Sequence, residues 1–188
     1  IAGDLVVQNA RVRAIGEDTG GFRPISEKDL FDCEYWSLEQ AKLGKGAPPK
    51  FQGKIVMITG GSGTIGFAIA KAFSKLGAQT ILVDKDEIAL KESVAKLGVG
   101  HKYFSIDVTH SDAANQALLA AINNFGGLDI LISNAGAAHA GPMLGISNEE
   151  LRNAFELNFF SHYSFSTEAA KILKDQNRGG QILFNISK

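Results

Sequence analysis

The chain has 188 residues, 45% hydrophobic and 21% charged, a composition that gives one globular domain enough apolar mass for a core and excludes a disordered chain. Its 19 basic and 20 acidic side chains nearly cancel. With no lysine or arginine cluster, nothing draws it to nucleic acid or an anionic membrane, and a small molecule is the expected partner.

Cys33 is the single cysteine, which excludes an intrachain disulfide and a multi-cysteine metal site. His101, His110, His139 and His162 are scattered without ligand spacing, so no metal is expected. No apolar run approaches the ~20 residues that cross a bilayer, and the first residues carry no basic stretch leading into a signal-peptide core. A reducing cytoplasm is the expected compartment. The start at Ile1 and the strand-like end Gln-Ile-Leu-Phe-Asn-Ile-Ser-Lys at 181–188 read as two ends cut from a longer protein.

In chain order, residues 5–15 read as the end of a helix, and Ser26 as the N-cap of a second helix reaching about residue 43. The stretch Gly-Lys-Gly-Ala-Pro-Pro-Lys at 44–50 breaks helix and favours an extended linker. It separates a helical leader, 1–50, too small for a core of its own, from a second domain, 51–188. There strands and helices alternate. Strands are expected at 55–58, 80–83, 103–106, 129–132 and 182–186, and helices at 65–76, 87–97 and 113–125, with one long helix at 148–174.

Parallel neighbours need crossovers, and helices of ten or more residues supply them on both faces. Right-handed crossovers give a three-layer, doubly wound α/β fold of the Rossmann type with strand order 3-2-1-4-5, ending after the fifth strand. Ligands of such sheets bind at the carboxyl ends of the strands, at the switch point between the first and fourth.

The candidate residues fall at those ends. Thr59-Gly-Gly-Ser-Gly-Thr-Ile-Gly66 follows the first strand and opens a helix. Its glycines, Gly60, Gly63 and Gly66, allow a tight turn and close approach of a pyrophosphate, and Ser62, Thr64 and Ile65 belong to the same loop, whose helix N-terminus offers free N–H groups. Asp84 ends the second strand 18 residues after Gly66, where a carboxylate accepts hydrogen bonds from adenosine ribose hydroxyls and repels a 2′-phosphate. That favours NAD over NADP. Asp107 and Val108 after the third strand are placed to meet the adenine ring, and Asn134, Ala135 and Gly136 after the fourth to let ribose and phosphate pass.

Over 51–188 the sequence resembles the short-chain dehydrogenase/reductase family, on Thr59 to Gly66, Asp84, Asp107-Val108, Asn134-Ala-Gly136, Asn158 and Asn185-Ile-Ser187. The resemblance implies hydride transfer involving a nicotinamide, with an active-site asparagine, serine, tyrosine and lysine. Asn158 matches the helix asparagine that supports the active-site lysine through water, and Phe155, Phe159 and Phe160 are expected to surround it with an apolar face where an unpaired amide would be costly. In relatives the same helix builds a dimer interface, which implies a homo-oligomer through 148–174.

Three departures stand out. The glycine spacing is that of the family's extended, nucleotide-sugar branch, with Thr64 where the short branch has glycine, whereas Asn134-Ala-Gly136 is that of the short branch. No Tyr-x-x-x-Lys occurs: Glu39, Asp107 and Thr167 stand four residues after Tyr35, Tyr103 and Tyr163, an absence read as truncation. Finally, Lys188 stands where the family's second serine binds the substrate carbonyl. That leaves Ser187 as the catalytic serine candidate, one residue early and facing the other way on an extended strand.

The leader segment 29–43 resembles the connector of bifunctional proteins that place a class II aldolase domain before a short-chain dehydrogenase, which implies a small hydroxy-aldehyde or sugar-derived polyol as substrate. Two alternatives stay open. One is a nucleotide-sugar epimerase or dehydratase, and the other a non-catalytic dinucleotide-binding domain.

Overall fold

The computed structural model describes residues 2–21, 26, 29, 48–138, 141–142 and 144–186. It divides into two compact units, Ile1–Pro48 and Pro49–Lys188. In the first, helix α1 (Ala2–Asp18) is longer than the 5–15 expected. Its last turn is closed by the Thr19 hydroxyl donating to the Ile15 carbonyl at 2.9 Å. Ser26 accepts the Asp29 N–H at 3.1 Å and donates its hydroxyl to the Asp29 carboxylate at 2.6 Å, the geometry of an N-cap. The remainder of the helix expected to follow, with Cys33 in it, lies outside the described residues.

The second unit alternates strand and helix: β1 (Ile55–Thr59), α2 (Thr64–Lys75), β2 (Gln79–Asp84), α3 (Glu87–Leu97), β3 (Lys102–Ser105), α4 (Ala113–Phe125), β4 (Ile130–Ser133), α5 (Asn148–Phe155), α6 (Ser161–Gln176) and β5 (Gln181–Phe184). All four strand pairings are parallel and the order is β3-β2-β1-β4-β5, the order expected. Strand bounds fall within two residues of those expected, the range over which hydrogen-bond and pattern definitions differ.

Strand alternation sends neighbouring side chains to opposite faces, and two cores result. Val56, Ile58, Leu82, Ile130 and Ile132 pack with Ala70 of α2 and Leu90 of α3. Met57, Ile81, Val83 and Leu131 pack on the other face with Leu118 of α4 and Phe165 of α6. The central strands are apolar at nearly every position because both faces are covered. At the amino ends, Asp129 joins β4 to β1 by accepting the Ile55 N–H at 2.9 Å and pairing with Lys54 at 2.8 Å.

The expected single helix at 148–174 is interrupted. Residues Glu156–Phe160 form one π-helical turn between α5 and α6, with Asn158 at its centre. α5 itself opens with a reciprocal cap between Ser147 and Glu150, which fixes its start. Among the described residues no helix is long and apolar enough to cross a membrane.

Candidate functional site

The carboxyl ends of β1, β2, β3 and β4 open onto a groove of about 1400 Å³, lined among others by Gly60, Gly63, Thr64, Ile65, Gly66, Asp84, Asp107, Val108, Asn134, Ala135, Gly136 and Asn158. The loop from β1 into α2 forms one wall. Gly60 has φ +63°, and a Cβ there would stand 3.0 Å from the Ala135 Cα. Gly66 faces the carbonyl of Gly60 so closely that any Cβ would collide with that oxygen. Two of the three motif glycines are therefore required by the loop's own folding. Thr64, at the first position of α2, is exposed and its side chain meets no such barrier.

α3 and α5 start with side-chain caps from Asp86 and Ser147. α2 differs: its N-cap is Gly63, no side chain caps it, and its first turn holds no acidic residue. The first-turn N–H groups and the positive end of the helix dipole are left to face the groove. A pyrophosphate fits such an end, since it brings the acceptors and negative charge that the chain does not supply.

Asp84 closes β2 opposite this loop. Its Oδ2 accepts the Ser62 N–H at 3.2 Å and the Ser62 hydroxyl at 2.6 Å. Its Oδ1 accepts the N–H of Lys85 at 2.8 Å and of Asp86 at 3.5 Å. Ser62, half-buried in the loop that walls the groove, is held to Asp84 by these two bonds. Asp107 is tied to its own turn by the N–H and hydroxyl of Thr109 at 3.0 and 2.8 Å. Those bonds, the backbone one first, hold its carboxyl below the usual range.

The floor is a network of short polar side chains. The Thr59 hydroxyl accepts the N–H groups of Asn134 and Ala135 at 2.9 and 3.0 Å. Asn134 donates its amide to the Thr59 carbonyl at 3.0 Å and accepts from Asn185 at 2.7 Å. The ends of β1, β4 and β5 are thereby tied together. Asn158 grips the next stretch of backbone, its Oδ1 accepting the Ala137 N–H at 3.1 Å and its Nδ2 donating to the Ala137 carbonyl at 2.9 Å. One turn on, His162 Nδ1 lies 2.6 Å from the Ser133 hydroxyl. Burial lowers the pKa of His162, which keeps the ring neutral beside the groove.

All the described candidates except Ser62 line one groove, and Ser62 is hydrogen-bonded to Asp84 of that lining; one expectation about Asn158 is corrected. Asn158 is not enclosed by its phenylalanines: Phe155, Phe159 and Phe160 are 54%, 56% and 46% exposed. The amide is satisfied by backbone, and the apolar face points outward. Ser187 and Lys188 lie outside the described residues. Thr59, expected only as the first residue of the glycine motif, joins the site through its hydroxyl, as do Ser133 and His162, which had not been singled out. Only the four-residue step from Asn158 to His162, on one helix face, hinted at the last of these.

Residues 54–188 match the family described as short chain dehydrogenase, and residues 1–43 match the second domain of class II aldolase. An uncharacterized oxidoreductase, YuxG, of Bacillus subtilis (strain 168) is 32% identical over 90% of this chain and 25% of its own length. Galactitol 2-dehydrogenase of Agrobacterium fabrum is 30% identical over 71% of this chain and 52% of its own. The crystal structure of a 3-ketoacyl-(acyl-carrier-protein) reductase from Brucella melitensis complexed with NADH superposes with a TM-score of 0.69, at 26% identity, covering 72% of this chain and 57% of that one. The chain spans between a quarter and about half the length of these relatives. It belongs to the short chain dehydrogenase family, oxidoreductases built on an NAD(P)-binding Rossmann fold.

Proposed function

We propose that the protein is an NAD-dependent dehydrogenase or reductase that moves hydride between the nicotinamide and a small secondary alcohol or carbonyl, a sugar-derived polyol or hydroxy-aldehyde. The observation that carries this reading is the pairing, across one groove, of an uncapped α2 N-terminus with a carboxylate at the end of β2. The first answers a pyrophosphate and the second a ribose diol, and Asp84 disfavours the extra phosphate of NADP.

When bound, the nicotinamide supplies the hydride acceptor or donor. The chain's own residues do the rest of the holding. Gly63, Thr64, Ile65 and Gly66 cradle the phosphates, and Asp107 and Val108 border the adenine end. Asn134, Ala135 and Gly136 form the floor, kept in place by Thr59 and Asn158. Ser187 is assigned to the substrate end. No Tyr-x-x-x-Lys occurs among the 188 residues, so catalysis is proposed for the whole protein and cofactor holding for this chain.

The aldolase match over residues 1–43 and the likeness to a galactitol dehydrogenase support a polyol or hydroxy-aldehyde substrate in a bifunctional parent. The exposed Phe155, Phe159 and Phe160 support homo-oligomerisation through α5 and α6. The test is to supply the whole protein with NAD and a panel of polyols and follow absorbance of the reduced nicotinamide. Turnover of at least one polyol is expected. Inertness toward every alcohol and carbonyl tested, with cofactor bound, would return the domain to a non-catalytic role.

A further inference from the structure

The Asp84 carboxylate is already fully engaged. A carboxylate offers about four lone-pair sites, and four donors occupy them here: the N–H and hydroxyl of Ser62, and the N–H groups of Lys85 and Asp86. Three of these donors are backbone amides, fixed by the β1–α2 loop and by the approach to α3. Only the Ser62 hydroxyl can turn away, by rotating about one bond. It also makes the shortest contact, 2.6 Å, the length of a strong charge-assisted bond.

We propose that Ser62 is a specificity-determining residue that competes with the adenosine ribose for Asp84. The inference rests on the dinucleotide reading above and changes the role of this serine within it. Its hydroxyl fills the one acceptor site on Asp84 that no backbone amide holds, so a ribose hydroxyl gains that site only when the serine turns aside. A 2′-phosphate has no such proton to offer and is repelled by the carboxylate whether the serine is present or not. Ser62 therefore narrows the margin between the two cofactors while holding Asp84 in its rotamer.

Fluorescence titration with NADH and with NADPH at fixed salt tests this on the wild-type protein, Ser62→Ala, Ser62→Thr and Asp84→Ala. Ser62→Ala is expected to bind NADH about tenfold more tightly, a change of ~1.4 kcal/mol, with NADPH affinity unchanged. Ser62→Thr, which keeps the hydroxyl, should remain at the wild-type value. Equal or weaker NADH binding by Ser62→Ala, with wild-type preference for NADH intact, overturns the competition and leaves the dinucleotide reading standing. Absence of binding of either cofactor to every variant overturns both. An equal gain for both cofactors also contradicts the proposal, since relief of competition at Asp84 favours only the ribose that donates.

Discussion

Asn158 and Ala137 face each other through two hydrogen bonds, the side-chain amide of one matching both backbone polar groups of the other. The asparagine sits on the π-helical turn that interrupts the long helix, and such turns re-aim a side chain by one residue. The contact reaches the segment after β4 just past Asn134-Ala-Gly136. Asn158→Ala is expected to cost about 1 kcal/mol of stability and to raise amide exchange at Ala137. Asn158→Asp sets a carboxylate oxygen against the Ala137 carbonyl and should be no better. Unchanged exchange at Ala137 in both variants would show that the clamp holds nothing.

Gly66 is expected to reject alanine for reasons internal to the loop. The added methyl would collide with the Gly60 carbonyl, forcing the β1–α2 turn to open at a cost of about 1–3 kcal/mol. Urea denaturation of Gly66→Ala should show the loss without any cofactor present. Gly63→Ala, where a Cβ would have only the Gly60 carbonyl within 4 Å, at 3.3 Å, should lose much less.

His101 gives the fold a pH dependence. Its Nδ1 accepts the Thr80 N–H at 3.2 Å, so the proton of the neutral ring sits on Nε2, 3.0 Å from the Ser74 hydroxyl. Burial lowers its pKa from 6.5, and burial lowers that of His162 as well. Below about pH 6.5 the unfolded chain takes up protons that the folded chain refuses, so stability is full above that pH and falls as pH drops toward the folded values. Urea midpoints at pH 7.5 and 5.5 check this, with the lower midpoint expected at 5.5. His101→Asn should reduce stability at pH 7.5 while shrinking the difference between the two.

Phe155, Phe159 and Phe160 present an outward apolar face that association would bury. Light scattering of the whole protein is expected to report a dimer or larger. Replacing Phe159 and Phe160 together by glutamate should shift it toward monomer, and a wild-type monomer at every concentration would remove oligomerisation from the account.

The sheet was legible because its strands are short apolar runs separated by helical periods; handed crossovers restricted it to a doubly wound sheet, and the glycine loop after the first strand favoured the Rossmann order. The groove was legible too, since Gly60, Asp84 and Asn134 each sit at a strand end. The break at Glu156–Phe160 was not. A single π turn adds one residue to an otherwise helical pattern, which periodicity over 27 residues absorbs. Nor could the pattern show that the three phenylalanines face outward, because a helix stripe that packs on a core and one left open are written alike. The partners of Asn158 and Asp84 include backbone amides, which carry no sequence signature, and the Ser133–His162 contact depends on how α6 lies against β4.

The central claim is that Asp84 and the α2 N-terminus hold NAD in preference to NADP. Competitive displacement of NADH by NAD and by NADP, in the wild-type protein and in Asp84→Ala, tests it most directly. NAD is expected to displace NADH at least tenfold more effectively than NADP in the wild type, with that preference lost in Asp84→Ala. Equal displacement by the two cofactors in the wild type, or a preference untouched by the substitution, would contradict it.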